Sequence, residues 1–157
     1  MKKISEHISY REGVNSNYAK QYNIDNKPKA EHIKNMEILA EKVFEPLREY
    51  VGKPIKVNSF FRSKELNTRI GGAMSSSHLD GQAIDITTLG GKTNLEMFLY
   101  IKDNLDYDQI ISEFPNSEGV PKWIHVSYKS KKLNRKQALE IKRKGRYTTF
   151  VDCKSCK

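Results

Sequence analysis

The segment Ser76-Ser77-His78-Leu79-Asp80-Gly81-Gln82-Ala83-Ile84-Asp85 places an imidazole and a carboxylate seven positions apart. Both are metal-ligand types, and a divalent ion needs them aimed at one point. The separation is too long for one helical face, so the chain has to turn between them. Gly81 can supply that turn, and the small Ala83 leaves room beside an ion. On a strand after the turn, Ala83 and Asp85 share one face while Ile84 and Ile86 point to the core. A third ligand can come from Trp123-Ile124-His125-Val126-Ser127, in which Trp123, His125 and Ser127 share a face. Three protein ligands would leave a fourth position for water, the arrangement of a catalytic zinc. A single strand histidine is more often packed or exposed than metal-bound, so spacing alone leaves His125 open.

These residues need a scaffold, and the periodicity of the rest of the chain suggests one. Pro28 suits the first turn of a helix. Ile33, Met36, Ala40, Val43 and Leu47 then recur at three- and four-residue spacing, with Pro46 set to bend the helix or begin its last turn. Ile55–Ser59 alternates and predicts a strand, Lys64–Ile70 a short helix stopped by Gly71-Gly72, and Ala83–Thr87 a second strand. Thr93-Asn94-Leu95-Glu96 is a capping box opening a helix that buries Leu95, Phe98, Leu99 and Ile101. Gln109–Glu113 and Trp123–Tyr128 predict two more strands. Asn134 followed by Gln137 predicts a last helix ending near Gly145. Residues 1–27 are polar and carry no clear period. Strands and helices do not alternate regularly, which points to an α+β fold: a small, mainly antiparallel sheet with helices packed on it.

Five segments occur in one order: Ser59-Phe60-Phe61-Arg62-Ser63, Leu66-Asn67, Gly71-Gly72, the His78-x-x-Gly81-x-Ala83-x-Asp85 run opened by Ser76, and Trp123-x-His125-Val126-Ser127. That series resembles the M15 family of zinc D-Ala-D-Ala carboxypeptidases and phage L-Ala-D-Glu endopeptidases, over most of residues 12–127. The resemblance implies the zinc D-Ala-D-Ala carboxypeptidase (hedgehog-like) fold and hydrolysis of peptide bonds in bacterial peptidoglycan. It implies Zn2+ held by His78, Asp85 and His125. Arg62 matches an arginine that binds substrate or the developing oxyanion, Ser76 a serine near the metal, and Asn67 a residue that holds the loop. One position departs from the family. Many members carry an acidic catalytic base three residues before the last zinc histidine, where this chain has Lys122. Glu113, at the end of its strand, is the first replacement as base, because in an antiparallel hairpin it can sit diagonally from His125 on one face. Glu118 is the second. A catalytically inactive wall-binding or virion structural protein of the same fold is the competing reading, and Lys122 is its main support.

The chain has 157 residues, enough for one domain. The expected division is a peptidase domain over 1–128, with 1–27 packed on it, and a basic helix and tail over 129–157. Basic and acidic residues balance in 1–128. In 129–157, eleven Lys and Arg face only Glu140 and Asp152, so the whole net charge of +9 resides there. Such a block can hold the anionic polymers of a cell wall. The aromatics Tyr128, Tyr147 and Phe150 are too sparse among these charges to favour nucleic acid. No secretory signal opens the sequence and no run has the length of a membrane span. The expectation is therefore a monomer synthesised in the cytoplasm that acts at the wall after release by a phage, or as part of a virion. Cys153 and Cys156 lack a second pair to complete a zinc site and are expected to be tail thiols.

Overall fold

The computed structural model describes residues 2–144 and 147–152, with side chains to Lys142. The fold is α+β, a six-stranded mixed sheet with helices packed against it. The chain opens with a small hairpin, β1 (Lys3–Ser5) and β2 (Ile8–Ser9), and two short helices, α1 (Tyr10–Val14) and α2 (Asn17–Gln21). The segment expected to be irregular is therefore structured. Its helices begin at serine caps: Ser9 forms a capping box with Glu12, and the Ser16 side chain accepts from the Ala19 N–H. Ile4 and Ile8 join the core.

Helix α3 (Ala30–Leu39) runs through a π-helical turn (Ala40–Phe44) into α4 (Glu45–Val51). The wider turn lies just ahead of Pro46, which has no N–H to donate, and the Glu45 N–H reaches back five residues to the Ala40 carbonyl. Met36, Leu39, Ala40, Val43, Phe44 and Leu47 form the buried stripe, and Ile33 is only half-buried at its margin.

The main sheet contains β3 (Ile55–Ser59), β4 (Ala83–Thr88), β5 (Gln109–Glu113), β6 (Trp123–Ser127), β7 (Gln137–Lys144) and β8 (Tyr147–Asp152), in the order β3-β4-β6-β5-β7-β8. Its pairings are antiparallel except β5 with β7, which is parallel. Helix α5 (Lys64–Arg69) follows β3, and α6 (Asn94–Asn104) starts at the Thr93–Glu96 capping box. The buried face of α6 keeps Phe98 and Ile101 of the expected set and has Asn94 and Met97 in place of Leu95 and Leu99, which lie at the edge. Asn94 turns inward because its side chain bonds the Thr88 N–H and the Pro121 and Lys122 carbonyls, tying the helix start to both neighbouring loops.

The two faces of the sheet do different work. Ile84, Ile86, Ile110, Ile124 and Val126 are buried against the helices. The alternate positions Asp85, Ile111, Glu113, Trp123 and His125 line an open cleft on the other face.

The helix expected from Asn134 is instead strand β7, paired residue for residue with β5 from Gln109↔Gln137 to Glu113↔Ile141. Locally, Gln, Ala, Leu, Glu and Lys favour helix. The free edge of β5 outweighs that preference, because its backbone groups need partners and a strand supplies them all. Ala138 packs into the core and Ile141 lines the cleft, so the period-two pattern fits the sheet as well. Residues 137–144 thus belong to the same sheet as the expected 1–128 domain. Gly145, Cys153 and Cys156 lie outside the described residues.

Candidate metal centre and cleft

His78 sits in a 3-10 turn (Ser77–Asp80) between β3 and β4. The turn is capped by Ser76, whose hydroxyl accepts from the His78 N–H at 3.3 Å. It ends at Gly81, at φ 71°. A Cβ at Gly81 would lie 2.6 Å from the His32 carbonyl oxygen and 2.8 Å from Met36, so both the backbone conformation and the close approach of α3 demand glycine. The reversal brings His78 back over β4. Asp85 lies on β4 directly opposite His125 on β6.

The three side chains converge. One ligand atom from each of His78, Asp85 and His125 lies within 4.8 Å of the other two. His78 Nε2 is 3.3 Å from Asp85 Oδ2, and His125 Nδ1 is 2.9 Å from Asp85 Oδ1. The His78 ring is held from behind: Nδ1 is 2.6 Å from the Phe60 carbonyl, and the His78 carbonyl accepts from the Arg62 N–H. A carbonyl only accepts, so Nδ1 carries the proton and Nε2 presents a lone pair.

That lone pair is the test of fit. Nε2 is buried without a hydrogen bond and points a pair of electrons at a carboxylate oxygen. Burial pushes the His78 pKa down, although Asp85 pulls the other way, so a second proton is not the stable filling. Burial also opposes charge on Asp85, but the carboxyl, hydrogen-bonded by His125, is held well below its ordinary range. A neutral imidazole, a fixed carboxylate and a second imidazole around one point suit a divalent ion of the zinc type.

Arg62 lines the cleft wall, and its guanidinium is pinned at three places: Nε to Ser59 Oγ at 3.2 Å, one terminal nitrogen to Asn67 Oδ1 at 3.1 Å, the other to Asp85 Oδ2 at 3.4 Å. Asn67, expected to hold the loop, is buried and also donates to the Ala73 carbonyl at 2.9 Å. The glycine pair after α5 makes this possible, since a Cβ at Gly72 would collide with the Asn67 amide. The N-terminal segment braces the same loop: Asn26 bonds the Phe61 carbonyl and the Ser63 N–H, and the Phe61 N–H bonds the Gly13 carbonyl.

Glu113 lies diagonally from His125, because Ile111 is opposite His125 and Glu113 opposite Trp123. It lines the cleft, and burial, reinforced by the Asp85 charge and opposed by His125, pushes its carboxyl up to about 7. Lys122 is exposed and outside the cleft, and its N–H bonds the Glu113 carbonyl at 2.8 Å. Position 122 and Glu113 are thus hairpin neighbours, with Glu113 lining the cleft and Lys122 outside it. Glu118 is exposed in the turn and not part of the cleft. Ser76 lines the cleft beside His78.

The cleft has a volume of about 610 Å³. Its unforeseen lining residues include two cations that follow β6, Lys129 and Arg135. Arg135 is anchored by the buried Asp108 just ahead of β5, which accepts from the Arg135 Nε and a terminal nitrogen at 2.9 Å each and from the Arg135 N–H at 3.0 Å, a pairing across the chain that no local pattern marks.

Residues 6–127 match the family model for Peptidase M15, and this span includes every residue of the metal group, Arg62, Ser76 and Glu113. A comparison with curated proteins returned no match. A match over more than half of the length, on a sheet that converges the same three ligand types, decides the relationship: the chain belongs to the M15 peptidase family.

Proposed function

We propose that the protein is a zinc-dependent peptidase that hydrolyses peptide bonds in bacterial peptidoglycan, as a D-Ala-D-Ala carboxypeptidase or an L-Ala-D-Glu endopeptidase of the endolysin type. The observation that carries this reading is the buried, unpartnered Nε2 of His78 facing Asp85 and His125 at the floor of an open cleft. Zinc held there by His78, Asp85 and His125 would polarise a scissile carbonyl and acidify a water molecule.

The protein's own groups do the rest. Phe60 fixes the His78 tautomer. Glu113, which lines the cleft diagonally from His125, takes a proton from the attacking water and returns it to the departing amine nitrogen. Arg62 holds Asp85 in place and sets a permanent positive charge at the wall where the carbonyl oxygen gains negative charge. Ser76 is a substrate contact in this scheme, and its hydroxyl also caps the His78 turn. No serine nucleophile is needed.

Site of action follows from substrate: the bacterial wall, reached by phage release or on a virion. Among the described residues no helix is long and apolar enough to cross a membrane. The basic C-terminal segment would add salt-sensitive attraction to anionic wall polymers. The test is digestion of purified peptidoglycan, with fragments identified by mass spectrometry, with zinc and with chelator. New amino termini that vanish with chelator support the peptidase and name the bond. Wall binding without new termini would leave the non-catalytic wall-binding reading in its place.

A further inference from the structure

The cleft is asymmetric along β6. Glu113 and Trp123 stand at one end, the metal group at His125 is in the middle, and the chain leaving Ser127 carries Lys129 to the other end. Side chains two apart on a strand share a face, so Lys129 continues the row Trp123, His125, Ser127 just past the strand end. The Tyr128 N–H still bonds the Gln82 carbonyl, and Asn134 Oδ1 accepts from the Lys129 N–H at 2.8 Å, which fixes the backbone from which Lys129 extends.

The half-buried Lys129 ammonium donates to Ser77 Oγ at 2.9 Å and Gln82 Oε1 at 3.1 Å. Both partners are neutral. Among the described residues no carboxylate lies within ion-pair distance of Lys129. The nearest acidic influence on Lys129 is Asp108, which acts on it only through space and is itself ion-paired with Arg135 at 2.9 Å. An ammonium drawn out of water against a hydroxyl and an amide is incompletely compensated. It has three donors, and these two bonds use two of them. The cleft also holds Arg62, and a divalent ion would add further positive charge beside His78, the neighbour of Ser77. Such a wall favours an anionic group on the ligand. Lys129 lies beyond the residues that match the family, so this feature comes from the segment after the matched span.

We propose that Lys129 is a specificity residue that receives a free carboxylate of the peptide substrate, at the end of the cleft opposite Glu113. The proposal rests on the peptidase reading for its substrate class. The carboxylate belongs to the peptide, because the cation lies inside the cleft and bonds Ser77, the residue next to His78. Wall polyanions would meet the exposed Lys131, Lys132 and Lys136 instead.

The test uses the zinc-loaded full chain and a synthetic stem pentapeptide in three forms: both carboxylates free, the C-terminal one amidated, or the D-Glu one amidated. Trp123 is the only tryptophan and lines the cleft, so its fluorescence reports binding independently of cleavage. One of the two amidations is expected to weaken binding and kcat/KM by about ten- to a hundredfold, the range of a charge-assisted hydrogen bond. Lys129→Met should bind all three forms alike, at the level of the weak one, and Lys129→Arg should restore the preference. If Lys129→Met does not fold, as judged by circular dichroism, Lys129→Gln, which keeps a polar tip toward Ser77, takes its place with the same expectation. Indifference of the wild type to both amidations, or full discrimination in the neutral variants, overturns the proposal. Discriminating binding without cleavage would instead remove the peptidase reading and leave Lys129 as an anion-recognition residue.

Discussion

Glu113 is where burial becomes chemistry. In the metal-free protein burial, reinforced by the Asp85 charge, raises its carboxyl from the ordinary 4.5 to about 7, and a buried carboxyl beside the metal group is placed to take and return a proton. Glu113→Gln should lower kcat by about 10²–10⁴-fold while zinc binding, read by calorimetry, is retained. The same shift has a cost in stability. Between about 4.5 and 7 the folded protein keeps this proton and the unfolded chain has released it, so Glu113 makes the metal-free fold less stable as pH rises through that window. The difference in thermal midpoint between wild type and Glu113→Gln should shift against the wild type from pH 4.5 to 7, measured in chelator. A pH-independent difference would show that the carboxyl titrates normally. Arg62 is a positioning residue of another kind, since one rigid fork joins Ser59, Asn67 and Asp85. A lysine ammonium is a compact point charge and lacks the spread fork that reaches Ser59, Asn67 and Asp85 at once. Arg62→Lys should cost about 1–2 kcal/mol by denaturant midpoint and at least about tenfold in kcat/KM.

At the scale of elements, β7 changes the meaning of the basic C-terminal segment. With a free-standing helix, removal of residues 129–157 would leave the core folded. With β7 in the sheet, the same truncation exposes the β5 edge and strips Asp108, buried in the full chain, of Arg135. Arg135 is itself largely exposed, so solvent screens the pair, and the loss of its three hydrogen bonds to Asp108 adds to the loss of the β7 pairing. The truncated chain is expected to be largely unfolded or aggregated, and Arg135→Met should lower stability measurably by itself in thermal unfolding. A truncated chain with an unchanged melting temperature would show that β7 contributes nothing to the core. Part of the positive excess therefore belongs to the architecture and the cleft: Arg135 pins a strand start and Lys129 lines the binding face.

At the scale of the whole molecule, two layers divide the labour. The helices and the inner sheet face bury the aliphatic and aromatic side chains, and the outer face is left to carry polar groups at fixed register. The metal group joins the β3–β4 connection to β4 and β6, so an ion bound there ties distant parts of the chain together. Binding to the folded state alone raises stability by about 2.7 kcal/mol when zinc is at a hundred times its dissociation constant. Saturating zinc should raise the melting temperature of the wild type by several degrees, and His125→Ala should lose most of that shift. An equal shift in the variant would place the ion elsewhere.

Local sequence determined much of this protein. The strands at Ile55–Ser59 and Gln109–Glu113, the α5 helix before Gly71-Gly72 and the Thr93 cap were legible because each is written in side chains a few residues apart: alternation, a capping pair, a glycine stop. The spacing of His78, Gly81 and Asp85 announced a turn between two ligand types, and the family motif chose His125 to complete them. Only the tertiary structure decided the rest. It made Gln137–Lys144 a strand against its helical composition, because the unpaired edge of β5 needed backbone partners. It raised Glu113 toward neutrality and carried Lys129 into the cleft. Burial, cross-strand register and through-space charge depend on residues far apart in the chain, and no local pattern encodes them.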